Sequence, residues 1–198
     1  MIEFKNLNQE IPYLHFKKKY DDALNNGQKS IEAISISSYN KEMNEVDSRY
    51  VNLKFIKNDE FIFFSNYDSP KAASFSSHKQ IAALIYWSSI NVQIRMRAKI
   101  TKTSNEFNQE YFSGRSEKKN ALAISSNQSK QVSSYDVVKE SFYKSLNNDN
   151  LKHCPDYWGG YRFVPYYFEF WEGEEFRLNK REVFQKKQNN WISYLLQP

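Results

Sequence analysis

Glycine is scarce in this chain, and its scarcity excludes two common ways of binding a phosphate. Five glycines occur among the 198 residues, and of these only Gly159 and Gly160 are adjacent. A P-loop or a dinucleotide-binding turn needs several closely spaced glycines, so that backbone amides can surround the phosphate. The sequence therefore predicts that any bound phosphate is held by side chains.

Cysteine and histidine are also few. Cys154 is the only cysteine, so no disulfide forms within the chain, and the three histidines do not group at the spacing of metal ligands. His153 beside Cys154 would suit a thiol nucleophile, but adjacent side chains usually point apart. No serine lies in a Gly-x-Ser-x-Gly turn either. We therefore expect no metal site and no hydrolase, and an enzyme here would depend on an organic cofactor.

Long apolar runs are missing as well. The longest run, residues 81–87, is far too short to cross a bilayer, and the N-terminal residues lack the apolar segment of a signal peptide. The net charge of +5 comes from lysines scattered along the chain, and their densest group, residues 17–19, lies in a predicted amphipathic helix whose charged face is expected to be solvated. These features predict a cytoplasmic protein that binds small anions rather than nucleic acid or a membrane.

Aromatic residues, in contrast, are abundant at 17% of the chain. Many of them lie within residues 155–181, around the Gly-Gly pair and close to Arg162, Arg177 and Arg181. Aromatic faces stack on flat rings and arginine binds phosphate through a fixed fork of donors, so a flat anionic ligand is one interpretation. The alternative is that these aromatics fill the core of a β-barrel. The residue types alone leave both interpretations open.

The hydrophobic pattern predicts a mainly β protein with added helices. Strands are predicted at 31–37, 48–56, 61–65, 80–87 and 92–100, within the aromatic stretch, and in a closing hairpin over 181–187 and 191–196. Helices are predicted at 12–26, at 71–78, and after Ser104, Ser116 and Ser133 or Ser134. Because strands and helices do not alternate regularly, an antiparallel barrel with inserted helices fits better than a parallel sheet. The length predicts a single domain, residues 1–198.

Seven motifs resemble those of the pyridoxamine 5′-phosphate oxidase family, in the family's order. They are SRYVNLK at 48–54, FFSNYDSPKA at 63–72, VQIRMRA at 92–98, YFSGR at 111–115, NQS at 127–129, PDYWGGYR at 155–162 and EFWEGEEFRLNKR at 169–181. Each motif alone is weak, but together they cover nearly everything from residue 30 onward. The last two are the most specific, because they belong to the family's own C-terminal region rather than to every split-barrel flavoprotein.

The resemblance implies an α+β fold, namely an FMN-binding split barrel of antiparallel Greek-key type. It implies a homodimer with FMN in clefts at the subunit interface, and a C-terminal dimerisation region over residues 155–198. It also implies a role in vitamin B6 metabolism, the oxidation of pyridoxamine or pyridoxine 5′-phosphate to pyridoxal 5′-phosphate. In such enzymes FMN takes a hydride from the 4′ carbon of the substrate, and dioxygen reoxidises the flavin.

The resemblance can be carried over residue by residue. It implies FMN binding by Arg49, Tyr50, Val51, Asn52, Leu53, Lys54, Phe64, Ser65, Lys71, Gln93, Gln128, Ser129, Trp171 and Arg181. It implies substrate binding by Lys54, Tyr111, Arg115, Lys119, Arg177 and Asn179, of which Arg177 and Asn179 are the catalytic pair. The FMN set agrees with the scarcity of glycine, because arginine and lysine would neutralise the FMN phosphate where no glycine-rich cradle exists.

Three positions depart from the family pattern. Asn179 stands where the family has a histidine two residues after Arg177, Lys119 replaces a serine that helps to hold the substrate phosphate, and Pro70 replaces an arginine before Lys71. These departures affect the substrate more than FMN. Two alternatives therefore stay open: an oxidase of another small aromatic anion, as in the similar phenazine-pathway enzymes, and a non-catalytic protein that binds FMN or pyridoxal phosphate.

Overall fold

The computed structural model describes all residues, 1–198, as ten strands, five α-helices and two short 3-10 turns. The strands are β1 (Glu3–Lys5), β2 (Ala33–Asn40), β3 (Glu45–Asn52), β4 (Phe55–Lys57), β5 (Glu60–Asn66), β6 (Gln80–Trp87), β7 (Val92–Lys102), β8 (Trp158–Glu172), β9 (Lys180–Lys187) and β10 (Asn190–Leu196). The helices are α1 (Ile11–Asn25), α2 (Pro70–Ser77), α3 (Asn105–Gly114), α4 (Glu117–Ser125) and α5 (Tyr135–Asn148). The predicted α+β class, with helices inserted into a mainly antiparallel sheet, is confirmed.

The sheet divides at β8, the longest strand. Along one edge, the first part of β8 pairs with β5 (Phe61↔Phe163 to Asn66↔Trp158), whereas its last part pairs with β9 (Tyr167↔Gln185 to Glu172↔Lys180). Its other edge pairs with β7 from Tyr161 to Glu172, with a register shift at Arg97/Ala98. The remaining strands continue the order β7-β6-β2-β3 on one side and β5-β4-β1 on the other. The two ends of β8 therefore belong to different parts of the sheet.

The core is rich in aromatic residues, as the barrel-filling alternative predicted. Phe163, Phe168 and Phe170 of β8 are fully buried, and α1 packs on this layer with Tyr13 against Phe168 and Phe16 against Phe61 of β5. Strand β6 has the predicted bounds, 80–87, and its buried and exposed residues alternate strictly, so only one of its faces packs against the core. Most aromatics of the 155–181 stretch therefore stabilise the fold by removing apolar area from water. They are not available as a ligand surface.

The predicted strand at 48–56 is wrong in one respect, because it is two strands. Leu53 N still donates to Glu32 O beside β2 at 2.9 Å, but Lys54 N donates to Ile62 O of β5 at 2.8 Å. The chain changes its partner strand between these residues, so β3 ends at Asn52 and β4 begins at Phe55. The sequence also did not predict β1, whose parallel pairing with β4 is its only support.

The helix ends follow the predicted caps in part. Ser104 and Ser134 accept hydrogen bonds from Phe107 N and Val137 N, so both cap their helices. Ser116 precedes α4 without such a bond, and α5 extends to Asn148. None of the helices is long and apolar enough to cross a membrane.

Candidate functional site

A cleft of about 590 Å³ lies where β3, β5 and the start of β8 meet helices α2, α3 and α4. Its walls are made by Tyr50, Val51, Asn52, Lys54, Phe64, Ser65, Lys71, Tyr111, Gly114, Arg115, Ser116, Lys119, Gln128 and Trp158. Eleven of these fourteen residues are among the predicted FMN and substrate residues; Gly114, Ser116 and Trp158 are not. Four lining residues are cations and none is a carboxylate. The cleft therefore suits an anionic ligand.

Lys71 forms the buried end of the cleft. It lies in the first turn of α2, and its ammonium donates to Ser65 Oγ at 3.1 Å and to Ser69 Oγ at 3.3 Å. Ser65 Oγ in turn lies 3.4 Å from Gln128 Oε1. Burial, together with the nearby charge of Arg49, lowers the pKa of Lys71 to about 8. A buried ammonium with only hydroxyl partners is costly in isolation, so this position favours an anion that would neutralise it.

Arg49 supports this end from behind rather than lining it. Its guanidinium donates to Ser38 Oγ at 2.7 Å and to Ile36 O at 3.3 Å, and it pairs with Asp47 at 3.5 Å. Burial lowers the pKa of Arg49, although Asp47 opposes the shift. Arg49 is therefore close enough to Lys71 to affect its charge. Some of the hydrogen-bond donors of Arg49 are already used by Ser38 and Ile36.

An aromatic stack forms the other wall. The rings of Tyr111 and Phe64 are 3.8 Å apart at 16°, and those of Phe64 and Trp158 are 5.2 Å apart at 11°. Asn108 fixes α3 against β8 by accepting from Gly160 N at 2.8 Å. A Cβ at Gly159 would collide with the side chains of Asn108 and Tyr67, which explains the Gly-Gly pair. This close approach holds the C-terminal end of α3 over Trp158.

Arg115 follows α3 and lies against this wall. Its guanidinium carbon is 4.4 Å from the Trp158 ring centroid, and its Nη2 donates to Lys119 O at 3.4 Å. Its Nη1 is buried and has no hydrogen-bond partner. Burial lowers the pKa of Arg115. An unpartnered buried donor beside Lys54 and Lys119 is a further feature that suits an anion.

Five of the other predicted site residues lie away from the cleft, in three places. Leu53 is fully buried in the core. Ser129 is exposed, with a φ of 68°, and lies in a separate groove beside α5. Gln93, Trp171 and Arg181 form a row across three neighbouring strands, because Gln93 pairs with Trp171 and Trp171 pairs with Arg181.

This row and the cleft lie at opposite ends of β8. Trp158 begins the strand and Trp171 is its penultimate residue. About 13 residues separate them, or roughly 43 Å if the strand were straight, at about 3.3 Å per residue. None of the three residues in the row lines the cleft. One chain therefore does not bring all predicted FMN residues together.

Arg181 is held in place by a buried carboxylate that sequence reasoning did not single out. Its Nε and Nη2 donate to Glu169 Oε1 at 3.0 and 2.8 Å, while Arg95 and Tyr167 donate to Glu169 Oε2. Burial opposes ionisation of Glu169, but the hydrogen bonds from Arg181, Arg95 and Tyr167 hold its pKa below the usual range. Glu169 therefore fixes the orientation of Arg181 at the edge of the row.

The predicted catalytic pair lies in the exposed connection between β8 and β9. Phe176 and Arg177 both adopt positive φ values, 55° and 61°, which are uncommon for residues other than glycine. Asn179 Oδ1 accepts from Glu174 N at 3.2 Å, which closes the turn. Arg177 is exposed and has no ion-pair partner within its own chain.

The donor set of the cleft fits a flat group that carries a phosphate, such as FMN. Lys71, Ser65 and Gln128 offer a cation, a hydroxyl and an amide at one end, and the polar edges of Tyr50 to Asn52 lie beside them. Such groups suit a phosphate and the heteroatoms of a flavin ring. The unpartnered Nη1 of Arg115 remains for a second anion.

Comparison with known proteins places these observations in a family context. Residues 158–198 match the family model described as "Pyridoxine 5'-phosphate oxidase C-terminal dimerisation region". The pyridoxine/pyridoxamine 5′-phosphate oxidase 1 of Hydrogenovibrio crunogenus is 34% identical over 184 residues, which are 92% of this chain and 84% of that protein. The corresponding oxidase of Colwellia psychrerythraea is 32% identical, over 92% of this chain and 85% of that protein.

Solved structures share the fold. PhzG from Burkholderia lata, in complex with tetrahydrophenazine-1-carboxylic acid, superposes with a TM-score of 0.89 at 22% identity, covering 94% of this chain and 92% of that one. A pyridoxamine 5′-phosphate oxidase-related, FMN-binding protein from Nostoc punctiforme gives a TM-score of 0.79 at 11% identity, covering 96% and 99%. At these identities the likeness establishes the split-barrel fold.

Proposed function

Because this chain belongs to the pyridoxine/pyridoxamine 5′-phosphate oxidase family, we propose that it is an FMN-dependent oxidase that converts pyridoxamine or pyridoxine 5′-phosphate to pyridoxal 5′-phosphate. The observation that carries this proposal is the cleft with four cations, no carboxylate and a stacked aromatic wall. When bound there, FMN would accept a hydride from the 4′ carbon of the substrate and pass the electrons to dioxygen. The protein's own residues would bind and orient the two anions.

On the cofactor side, Lys71 is proposed to hold the FMN phosphate, with Arg49 adding positive charge from behind. Lys71 has only Ser65 and Ser69 hydroxyls as partners, so its charge is available to a ligand. The strand residues Tyr50 to Asn52 and the amide of Gln128 would fix the remaining polar groups of the cofactor. These contacts replace the backbone cradle that the scarcity of glycine excludes.

On the substrate side, Lys54, Tyr111 and Arg115 are proposed to bind the substrate phosphate. All three line the cleft, and the Nη1 of Arg115 is a buried donor without a partner. Lys119 at the rim adds a further positive charge. Binding through the phosphate would place the substrate ring at a fixed distance from the cofactor, which lowers the entropic cost of reaction.

A homodimer is proposed to complete each site. The row Gln93, Trp171 and Arg181, with the Arg177 loop beyond it, lies at the far end of β8 from the cleft, and residues 158–198 match a dimerisation region. In a two-fold dimer the row of one chain can meet the cleft of the other. Each site would then take its phosphate-binding residues from one chain and Trp171, Arg177, Asn179 and Arg181 from its partner.

A second candidate is the oxidation of another small aromatic anion. Lys119 adds a cation to the cleft, and Asn179 removes an ionisable group from the proposed catalytic pair. Both features change the substrate side and leave the Lys71 end intact. A carboxylate would also satisfy Arg115 and Lys119, so an aromatic carboxylic acid is the class to compare.

The proposal is tested by aerobic turnover of the FMN-loaded protein with pyridoxamine 5′-phosphate. Pyridoxal 5′-phosphate and hydrogen peroxide should form in equal amounts, and pyridoxamine without the phosphate should react far more slowly. Tetrahydrophenazine-1-carboxylic acid serves as the comparison substrate for the second candidate. If none of these three substrates is oxidised and no hydrogen peroxide forms, the result would favour a protein that binds FMN without turnover.

A further inference from the structure

Arg115 is held in the cleft by an aromatic face instead of a carboxylate. Its guanidinium lies 4.4 Å from the Trp158 ring centroid and 5.6 Å from that of Phe112. No acidic side chain forms an ion pair with it, and its one side-chain hydrogen bond goes to the carbonyl of Lys119. Arg181 of β9, beside the other end of β8, shows the opposite arrangement. Its Nε and Nη2 both donate hydrogen bonds to the carboxylate of Glu169.

The two arrangements have different consequences for anion binding. A carboxylate fixes a guanidinium but also neutralises it and occupies its donors, so that an incoming anion must compete. An aromatic face attracts the guanidinium through its quadrupole and leaves the planar edge of donors unoccupied. Arg115 has such a donor, since Nη1 is buried and without a partner.

Trp158 is itself held by two ring contacts and one backbone hydrogen bond. Its ring stacks on Phe64 and meets Phe112 edge-on at 5.1 Å, and only 7% of its surface is exposed. Its backbone carbonyl accepts from Cys154 Sγ at 3.5 Å. A ring so restrained provides a rigid surface for Arg115, and its position at the first residue of β8 ties that surface to the sheet.

We propose that Trp158 is a positioning residue for the substrate anion, which orients Arg115 through its indole face without neutralising it. This inference rests on the proposed function for the identity of the anion, the phosphate of a B6 vitamer. It goes beyond that function because it gives Trp158, which precedes Gly159 and Gly160, a role in the affinity for the substrate phosphate and in the preference for phosphorylated substrates. The simpler alternative is that Trp158 only packs the small cluster with Phe112 and Cys154.

The test measures binding apart from turnover. The probe is 4-deoxypyridoxine 5′-phosphate, whose 4-methyl group offers neither hydroxyl nor amine for oxidation, and it is titrated calorimetrically into the FMN-loaded protein. Trp158→Phe keeps an aromatic ring of weaker quadrupole, and Trp158→Leu removes the ring. We expect Trp158→Leu to weaken binding of the probe roughly 5- to 30-fold and Trp158→Phe to weaken it less.

Two controls separate positioning from packing. Phosphate-free 4-deoxypyridoxine should bind the wild type and both Trp158 variants equally, and Trp158→Leu should have no further effect on the probe in an Arg115→Ala background. Trp87→Phe is the matched structural control, because Trp87 is 1% exposed, lies outside the cleft and donates to Ile31 O at 3.2 Å. It should lower stability without changing affinity for the probe.

Three results with the Trp158 variants would contradict the positioning role. Unchanged probe affinity in Trp158→Leu, an equal loss for the phosphate-free analogue, or an equal loss in the Arg115→Ala background would overturn the inference. A wild type that does not bind the probe would overturn it as well. A wild type that binds the probe tightly but does not oxidise pyridoxamine 5′-phosphate would contradict the proposed function, while the Trp158 series would still decide the positioning role.

Discussion

Trp158 and Trp171 lie on the same strand, yet they belong to different halves of the proposed site. Trp158 lines the cleft at the start of β8, and Trp171 pairs with Gln93 and Arg181 near its end. A strand is too stiff to fold back on itself, so the two tryptophans of one chain do not meet at one ligand. The proposed site therefore requires a second copy of the chain.

Complementation between two inactive variants tests this division. Arg115→Ala removes a cleft residue and Arg181→Ala removes a residue of the row, so each homodimer should have two defective sites. In a mixed dimer one site carries both changes and the other carries neither. Refolding an equal mixture should therefore restore about a quarter of the wild-type sites.

The control for complementation is a mixture of two variants from the same half, Arg115→Ala with Lys54→Ala. Both changes affect the cleft, so every site in a mixed dimer keeps one lesion. Activity no higher in the first mixture than in this control would argue against a site shared between chains.

Lys71→Met should stabilise the apoprotein while weakening FMN binding. Lys71 is 9% exposed and has no carboxylate partner, so its charge costs folding free energy in the absence of a ligand. Methionine fills a similar volume without that charge, and we expect an increase of about 1 to 3 kcal/mol in the free energy of unfolding. Urea unfolding of the apoprotein measures the gain, and fluorescence quenching of added FMN measures the loss of affinity.

The exposed Lys18 provides the control for this substitution, since Lys18→Met removes the same charge from the surface. It should change neither quantity appreciably. A Lys71→Met apoprotein less stable than the wild type would show that the charge already has a partner.

The stability of the apoprotein should rise with pH between about 8 and 10.5. Burial lowers the pKa of Lys71 from 10.5 to about 8, so between these values the unfolded chain binds a proton that the folded chain has lost. The free energy of unfolding increases with pH wherever the unfolded state binds more protons. Comparison of wild type with Lys71→Met isolates this contribution, which should be absent from the variant.

The ammonium of Lys71 predicts the opposite pH dependence for the affinity of the protein for FMN. Because only the protonated ammonium attracts the phosphate, FMN affinity should fall as the pH rises above about 8. Fluorescence titrations at pH 7 and pH 9 measure this change. Equal affinities at both values would remove Lys71 from the phosphate site.

Asn179→His should raise turnover if the protein oxidises pyridoxamine 5′-phosphate slowly. Asn179 now closes its turn by accepting from Glu174 N, and it offers no ionisable group to the substrate. A histidine would restore the residue that the family has here, and we expect roughly a tenfold increase in kcat/KM, typical of one added polar contact. Asn189→His, in the exposed β9–β10 turn, is the control. No change on Asn179→His would count against this explanation of the departure.

Eleven of the fourteen residues that line the cleft are among those that the family resemblance implied, and most of them lie in short motifs whose structure depends on residues close in sequence. Ser65 and Lys71 are joined by one turn and the start of a helix, and Tyr111 and Arg115 are one helical turn apart. Strand β6 was predicted with its observed ends from a nearly continuous apolar run, Gln80 to Trp87. In such segments the periodicity and the caps determine the structure.

The features that were missed depend on contacts distant in sequence. The break after Leu53 arises because the chain changes from β2 to β5 as its partner, and β1 exists only through its pairing with β4. The clamp of Glu169 on Arg181 depends on the register of β8 and β9. Trp158 was predicted only as part of a motif, because the placement of Arg115 against its ring depends on how α3 packs against β8.

The most direct test of the account is an anaerobic titration of the FMN-loaded protein with pyridoxamine 5′-phosphate, followed by the visible absorption of the flavin. If the protein is the proposed oxidase, the absorption should bleach in proportion to the substrate added and return when air is admitted. A protein that binds FMN but keeps its full absorption in the presence of excess substrate would contradict the proposed oxidase.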